Sequence, residues 1–203
     1  MRGELCGVKM DAFALLDLPR RASLSGEEVR AAFQRKGAAL HPDGAGEEER
    51  ARRTAEFAAL NEAHAILSSQ PRRLRHLLEL GYPGAAAAKT GAVMDGEMMT
   101  LFSSVGGAVQ EAAAVQSRKQ RASSALARAM LAGEEMKAQE ALETATQGVE
   151  AAREKLDAEL AEWDTGDAGD GGAAKLQSCA ARAGFLEKWQ AQLRGAFAGF
   201  FGG

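Results

Sequence analysis

A proline between two amphipathic helical patterns is the strongest constraint on the fold of this chain. The segment 25–40 carries apolar side chains at helical spacing, and its first residue forms a capping-box pattern with Glu28. Pro42 ends this helix, because proline has no backbone N–H and forces the preceding residue out of the helical region. His41 and Asp43 are therefore predicted to lie on a bent, exposed turn.

A second amphipathic pattern follows this turn. Its apolar side chains share one stripe and are predicted to pack inward, and they are Phe57, Leu60, Ala63 and Leu67. Two such helices form a hairpin whose turn is already bent. A preformed turn presents a carboxylate to a cation on another protein at little ordering cost, so the turn is interpreted as a binding device.

Shorter helices are predicted on both sides of the hairpin. One begins at Asp11 and ends at Pro19, and the other covers residues 72–80. His64 and His76 lie in the helical patterns without partners at metal-ligand or catalytic spacing. Both are interpreted as structural histidines, with a ligand role as the alternative.

These segments resemble the J-domain family, the co-chaperones that dock on an ATP-driven chaperone of the DnaK/HscA type. Within the family they are most similar to the HscB branch, over most of residues 11–81. The residues that carry the resemblance are His41-Pro42-Asp43, Leu18-Pro19 with Leu24 and Ser25, Leu60-Asn61-Glu62-Ala63 with Leu67, and Pro71 with the run Arg73-Leu74-Arg75-His76-Leu77-Leu78-Glu79-Leu80-Gly81. The resemblance implies an all-α protein with a J-domain over 1–83, a linker over 84–93 and a C-terminal client-binding domain over 94–203.

The resemblance also implies which side chains meet the chaperone. They are His41, Pro42 and Asp43 on the turn, and Arg30, Arg35 and Lys36 on the helix before it. For the three cations the alternative is an ordinary solvated face. Ala38, Ala39 and Gly44 stand where relatives often carry basic or polar residues, which weakens the expected charge attraction.

Beyond about Met94 the pattern is long and helical. A first helix is predicted to be bent or interrupted near Gly106-Gly107. A second covers 134–163, where apolar residues recur every seven positions, and a third covers 173–199; together they predict an antiparallel three-helix bundle. The loop 164–172 is rich in Asp and Gly but lacks the ligand spacing of a calcium loop, so it is interpreted as a turn.

In the HscB branch, the C-terminal three-helix domain holds the scaffold protein of iron–sulfur cluster assembly and delivers it. Here the segment from Glu97 to Phe102 and the run Phe185-Leu186-Glu187-Lys188 are similar to that domain. The resemblance implies client contacts by Met98, Met99, Phe102 and Phe185. Core packing is the alternative for methionines at helical spacing.

Composition bounds the remaining classes. Aromatic residues make up 5% of the 203 residues, and no alternating β pattern occurs, which favours an all-α fold. A net charge of −3 gives no reason to expect nucleic acid or a membrane as the main partner. No apolar run has the length of a membrane span and the first residues lack a signal-peptide core, so a cytoplasmic location is expected.

No enzyme motif is present in the sequence. The chain has no phosphate-binding glycine loop, no serine elbow and no HExxH, and its two cysteines are far apart. His41 and Asp43 form an imaginable acid–base pair, but an exposed turn offers no burial to tune them. The expectation is a protein without catalysis, cofactor or metal.

Three hypotheses of function follow. The first is an HscB-like co-chaperone that stimulates a DnaK/HscA-type ATPase and delivers an iron–sulfur scaffold. The second is a J-domain adaptor for a different client. The third is a helical interaction module without chaperone activity.

Overall fold

The computed structural model describes residues 10–39, 47–87, 94–166 and 171–201. Every regular element within these ranges is an α-helix, which confirms the all-α prediction. In chain order the helices are α1 (Ala12–Leu15), α2 (Gly26–Ala39), α3 (Glu47–Ser68), α4 (Gln70–Gly81), α5 (Pro83–Ala87), α6 (Gly96–Arg121), α7 (Ala125–Met130), α8 (Ala132–Thr165) and α9 (Gly172–Phe201).

The helices belong to two compact units. The first lies within Met1–Lys89 and also includes Ala161–Gln177, and the second lies within Thr90–Leu160 and Ser178–Gly203. Helix α5 occupies the described part of the predicted linker. The domain boundaries given above stay a prediction.

The first unit contains the predicted hairpin. Helices α2 and α1 both pack against α3, and α3 packs against α4. The core between them consists of side chains with at most 3% exposure, and they are Phe13, Leu16, Val29, Leu60, Ala63, Leu67 and Leu74. Of these residues, Leu60, Ala63 and Leu67 were predicted to pack inward from their spacing on α3.

Phe57 does not pack inward as predicted. Its side chain is 44% exposed, and its ring centroid lies 6.4 Å from that of Phe33. The reason is the residue that faces it on α2, Gly37, which has no side chain to cover the ring. The stripe on α3 therefore enters the core only from Leu60 onwards.

The capping box at the start of α2 is confirmed. The Ser25 amide donates to Glu28 Oε2 at 2.8 Å, and the Glu28 amide donates to Ser25 Oγ at 3.1 Å. Hydrogen bonds from the backbone and side chain of Ser25 lower the pKa of Glu28. The first turn of α2 is thus held by its own side chains.

The two histidines have structural roles, as interpreted from the sequence. The His76 ring is 7% exposed and stacks on Phe13 at a centroid distance of 5.8 Å, while His76 Nε2 accepts a hydrogen bond of 3.0 Å from the Ala12 amide. The His64 ring contacts that of Phe33 in a tilted arrangement, with centroids 4.4 Å apart. Both rings serve contacts between helices of the first unit.

Asp11 caps α1, and its removal is expected to lower stability in a pH-dependent way. Its carboxylate accepts hydrogen bonds from the amides of Phe13 and Ala14 and pairs with Arg20 at 2.6 Å. Burial raises its pKa, but the Arg20 and amide hydrogen bonds outweigh burial and hold the pKa below the usual 3.8. We expect Asp11→Ala to lower the free energy of unfolding by about 1 kcal/mol at pH 7.

The sign of the pH effect follows from the lowered pKa in the folded state. The contribution of Asp11 is fully present above the usual pKa of aspartate and is lost as pH falls through the lowered value. Urea titrations of wild type and Asp11→Ala at several pH values measure the difference. A difference that grows as the solution is acidified would contradict the assignment.

In the second unit α6 is a continuous helix, so the predicted interruption near Gly106-Gly107 is wrong. A glycine in a helix costs about 1 kcal/mol relative to alanine. Flanking Val105 and Ala108 are only 1% and 4% exposed, and their burial offsets this cost. Local propensity is here overridden by packing.

Contacts between α6, α8 and α9 establish the predicted bundle. Lys119 pairs with Glu135 at 2.8 Å, which joins α6 to α8, and Arg153 donates to Gln190 at 2.6 Å, which joins α8 to α9. The seven-residue repeat on α8 is buried at Leu142, Val149 and Leu156, each at most 1% exposed. The short helix α7 between α6 and α8 was not predicted.

A partly buried ion pair adds to the α8–α9 contact. Both terminal nitrogens of Arg182 donate to the Glu159 carboxylate, one of them at 2.9 Å. This hydrogen bonding raises the pKa of Arg182 above its usual value despite partial burial. The pair lies beside Cys179, whose thiol is buried.

Candidate functional site

The candidate docking face for the chaperone lies on α2. Arg30 and Arg35 are exposed, and Lys36 is partly buried. Lys36 Nζ lies 2.5 Å from Asp17 Oδ2, so one of the three candidate cations is paired within the chain. The Asp17 side chain remains 70% exposed and leaves the pair open to solvent.

Asp17 belongs to this site although no sequence signal marked it. Its φ of 51° places it in the left-handed region, which aspartate tolerates better than most residues. This conformation ends the turn after α1. No local pattern indicates its pairing with Lys36 on α2, because that pairing depends on tertiary contact.

The predicted docking turn, His41-Pro42-Asp43, lies outside the described residues. The helices on either side of it, α2 and α3, pack against each other. The pairing of the two flanking helices, which the sequence predicted, is therefore present. The exposure of the Asp43 carboxylate stays a prediction.

The candidate client residues occupy two different environments in the second unit. Met98 is 5% exposed and belongs to the core, whereas Met99 and Phe102 are 51% and 52% exposed. Phe185 on α9 is partly buried. A client in solution therefore has access to Met99 and Phe102, but not to the Met98 side chain.

Trp189 joins the aromatic candidates. Its ring centroid lies 6.1 Å from that of Phe102 and 5.8 Å from that of Phe185. Trp189 itself is 3% exposed, as expected for a residue on the inward stripe of α9. The indole supports two aromatic rings from α6 and α9, which creates an apolar surface on a rigid base.

Other site classes receive no support from the described part of the chain. Within it, no group of three or more His, Cys, Asp or Glu side chains is arranged to hold a metal ion. No helix in the described ranges is both long and apolar enough to cross a bilayer. Residues on helix surfaces therefore remain the candidates.

Comparison with known proteins defines the class. Residues 11–76 match the family model described as "DnaJ domain", a range that begins at the cap of α1 and ends within α4. The chain therefore carries a J-domain, and a J-domain implies a chaperone of the Hsp70 type as partner. No curated protein matches the chain.

A solved structure extends the comparison beyond the J-domain. "Chaperone HscB from Vibrio cholerae" superposes with a TM-score of 0.59 and 19% sequence identity, covering 91% of this chain and 96% of that chain. An identity this low concerns the fold alone. Residues 11–76 are thus a DnaJ-type domain, and the chain as a whole has an HscB-like fold, as predicted from its sequence.

Proposed function

We propose that this protein docks on a DnaK/HscA-type chaperone and stimulates its ATPase. The contacts would be made by His41, Pro42 and Asp43, with Arg30, Arg35 and Lys36 alongside on α2. The observation that carries the proposal is the DnaJ-domain match over 11–76, a range that includes α2, the turn and α3. Exposed cations on α2 suit an acidic partner surface.

The client is proposed to be the scaffold protein of iron–sulfur cluster assembly. The HscB-like fold over both units supports this, and so do the exposed side chains of Met99 and Phe102. Exposed methionine and aromatic side chains together are typical of protein-binding surfaces. No chemical step is assigned to this chain, because the partner chaperone hydrolyses the ATP.

One observation favours a J-domain adaptor for a different client as the second candidate. By the resemblance to the HscB branch, the run Val105-Gly106-Gly107-Ala108 on α6 stands where acidic residues are expected. The helix that bears Met99 and Phe102 therefore differs from the family close to the proposed surface. A different client would contact the same apolar side chains, Met99 and Phe102, beside different polar residues.

A titration distinguishes the hypotheses. The full chain is added to a DnaK/HscA-type chaperone with ATP, with and without the scaffold protein, and phosphate release is measured. Stimulation that rises further with scaffold supports the first hypothesis, and stimulation without any scaffold effect supports the adaptor. No stimulation under either condition leaves the helical interaction module.

Asp17 is expected to limit docking, because its carboxylate pairs with Lys36. Asp17→Asn keeps the shape and the tolerance of positive φ but removes the charge. We expect the concentration for half-maximal stimulation to fall about two- to threefold at low salt, the size expected for an exposed pair. The gain should shrink as salt is raised, since screening weakens exposed charges.

Glu62→Gln is the matched control for Asp17→Asn. Glu62 is an exposed residue on α3 of the same unit, so its replacement changes the net charge equally. An equal gain from both variants would mean that net charge, and not release of Lys36, governs docking.

A further inference from the structure

The connection between α1 and α2 is irregular, yet two of its residues are buried. Ala22 is 0% exposed and Leu24 is 3% exposed. Buried residues need partners for their backbone polar groups, because an unpaired buried N–H or C=O is costly. The partners of this connection come from far along the chain.

Asp164, in the last turn of α8, accepts the hydrogen bonds that the connection donates. Its Oδ1 accepts from the Ala22 amide at 2.7 Å, and its Oδ2 accepts from the Ser23 amide at 2.8 Å and from Ser23 Oγ at 2.5 Å. Three donors thus converge on one carboxylate. Hydrogen bonds to an ionised acceptor are about twice as strong as neutral ones.

Arg73 of α4 donates a hydrogen bond to a backbone carbonyl of the same connection. Its Nε donates to the Ala22 carbonyl at 3.2 Å, and one terminal nitrogen donates to the Leu67 carbonyl at 2.6 Å. The Arg73 side chain is buried, with the residue 5% exposed. Both backbone polar groups of Ala22 are therefore paired with charged side chains, and only Asp164 comes from outside the region matched as a DnaJ domain.

We propose that Asp164 is a positioning residue for chaperone docking. Its carboxylate fixes Ala22 and Ser23, which lie three and two residues before the cap of α2 at Ser25, and so it positions the segment that leads into α2. Helix α2 carries the candidate docking cations, and this inference rests on the proposed function for that reason. Asp164 touches no partner itself and acts through α2.

The same geometry assigns the segment Ala161–Gln177 to the J-domain as a structural part. This segment already belongs to the first compact unit. A fragment that ends before it would leave two amides and one hydroxyl of the connection without their acceptor. The J-domain of this chain is thus completed by residues about 140 positions later in sequence.

The first arm of the test uses amide hydrogen exchange in the full chain and needs no chaperone. In Asp164→Asn, one oxygen becomes an NH2 group that faces donors, so the amides of Ala22 and Ser23 should exchange at least about tenfold faster than in wild type. Ser23→Ala keeps both amide bonds and removes only the hydroxyl, so it should accelerate exchange only about two- to fivefold.

The second arm measures chaperone stimulation at a temperature where circular dichroism shows every variant folded. Asp164→Asn should displace the segment that leads into α2. We therefore expect the concentration for half-maximal stimulation to rise about three- to tenfold. The maximal rate should be unchanged, because the docking groups are intact once bound. Because every variant is folded at the chosen temperature, a higher half-maximal concentration reports the position of α2 and not a loss of folded protein.

Glu162→Gln is the matched control, an exposed acidic residue on the same helix end. It should change neither exchange nor stimulation. Unchanged amide exchange in Asp164→Asn overturns the inference. Faster exchange together with a half-maximal concentration equal to that of wild type overturns it as well. If wild type gives no stimulation, the proposed function and the positioning role both fail, while the exchange arm still decides whether Asp164 holds the connection.

Discussion

Asp43→Asn is expected to reduce stimulation of the chaperone ATPase to the basal rate. The variant keeps the size of the side chain and Pro42 but removes the negative charge that a cation on the chaperone would meet. The proposed charge-assisted hydrogen bond to this side chain is lost, and no other acidic residue stands in the tripeptide His41-Pro42-Asp43. Steady-state phosphate release, measured against the concentration of this protein, reports the loss.

The fold should not change in Asp43→Asn. The hairpin is held by the core between α2 and α3 and by the Ser25–Glu28 capping box, none of which involves residue 43. Helical circular dichroism should therefore match that of wild type. Stimulation retained by Asp43→Asn would refute docking through this turn, and stimulation absent in wild type would refute the co-chaperone function itself.

The second large effect is expected on the client surface. Phe102 is 52% exposed on α6 and lies against Trp189, so truncation removes an accessible aromatic ring from a rigid base. We expect Phe102→Ala to raise the Kd for the iron–sulfur scaffold about tenfold or more, as for an aromatic interface anchor. The melting temperature should fall by less than about 3 °C, because half of the side chain is already solvated.

Leu126→Ala is the control for Phe102→Ala. Leu126 lies on α7 in the same unit and is 73% exposed, so the variant removes an exposed apolar side chain outside the proposed surface. Its Kd for the scaffold should equal that of wild type. If both variants weaken binding equally, the client recognises general apolarity of the unit and not the Phe102 surface.

Phe185→Ala tests the partly buried end of the same surface. The ring stacks on Trp189 at 5.8 Å, so its removal affects both the surface and the support beneath it. We expect the loss of binding free energy for the client to exceed the loss of the free energy of unfolding. Titration calorimetry and urea unfolding give the two values, and equal losses would assign Phe185 to the core.

Much of the fold was determined by local sequence. The spacing of apolar residues on α2, α3 and α8, the Ser25–Glu28 box and Pro42 are properties of short segments, because helix formation and capping depend on neighbours within one or two turns. The same locality explains the errors. Phe57 fits the stripe on α3 but faces Gly37, and the glycine pair in α6 remains helical because its flanks are buried.

In the candidate site, too, some features followed from local sequence and others depended on the tertiary structure. The proposed docking turn and the candidate cations of α2 lie close together in sequence, so a motif predicted them without coordinates. Lys36 with Asp17, Phe102 with Trp189, and Asp164 with Ala22 and Ser23 are pairs that only the tertiary structure brought together. Burial also separated Met98 from Met99, adjacent residues of one pattern, because consecutive side chains on a helix point about 100° apart.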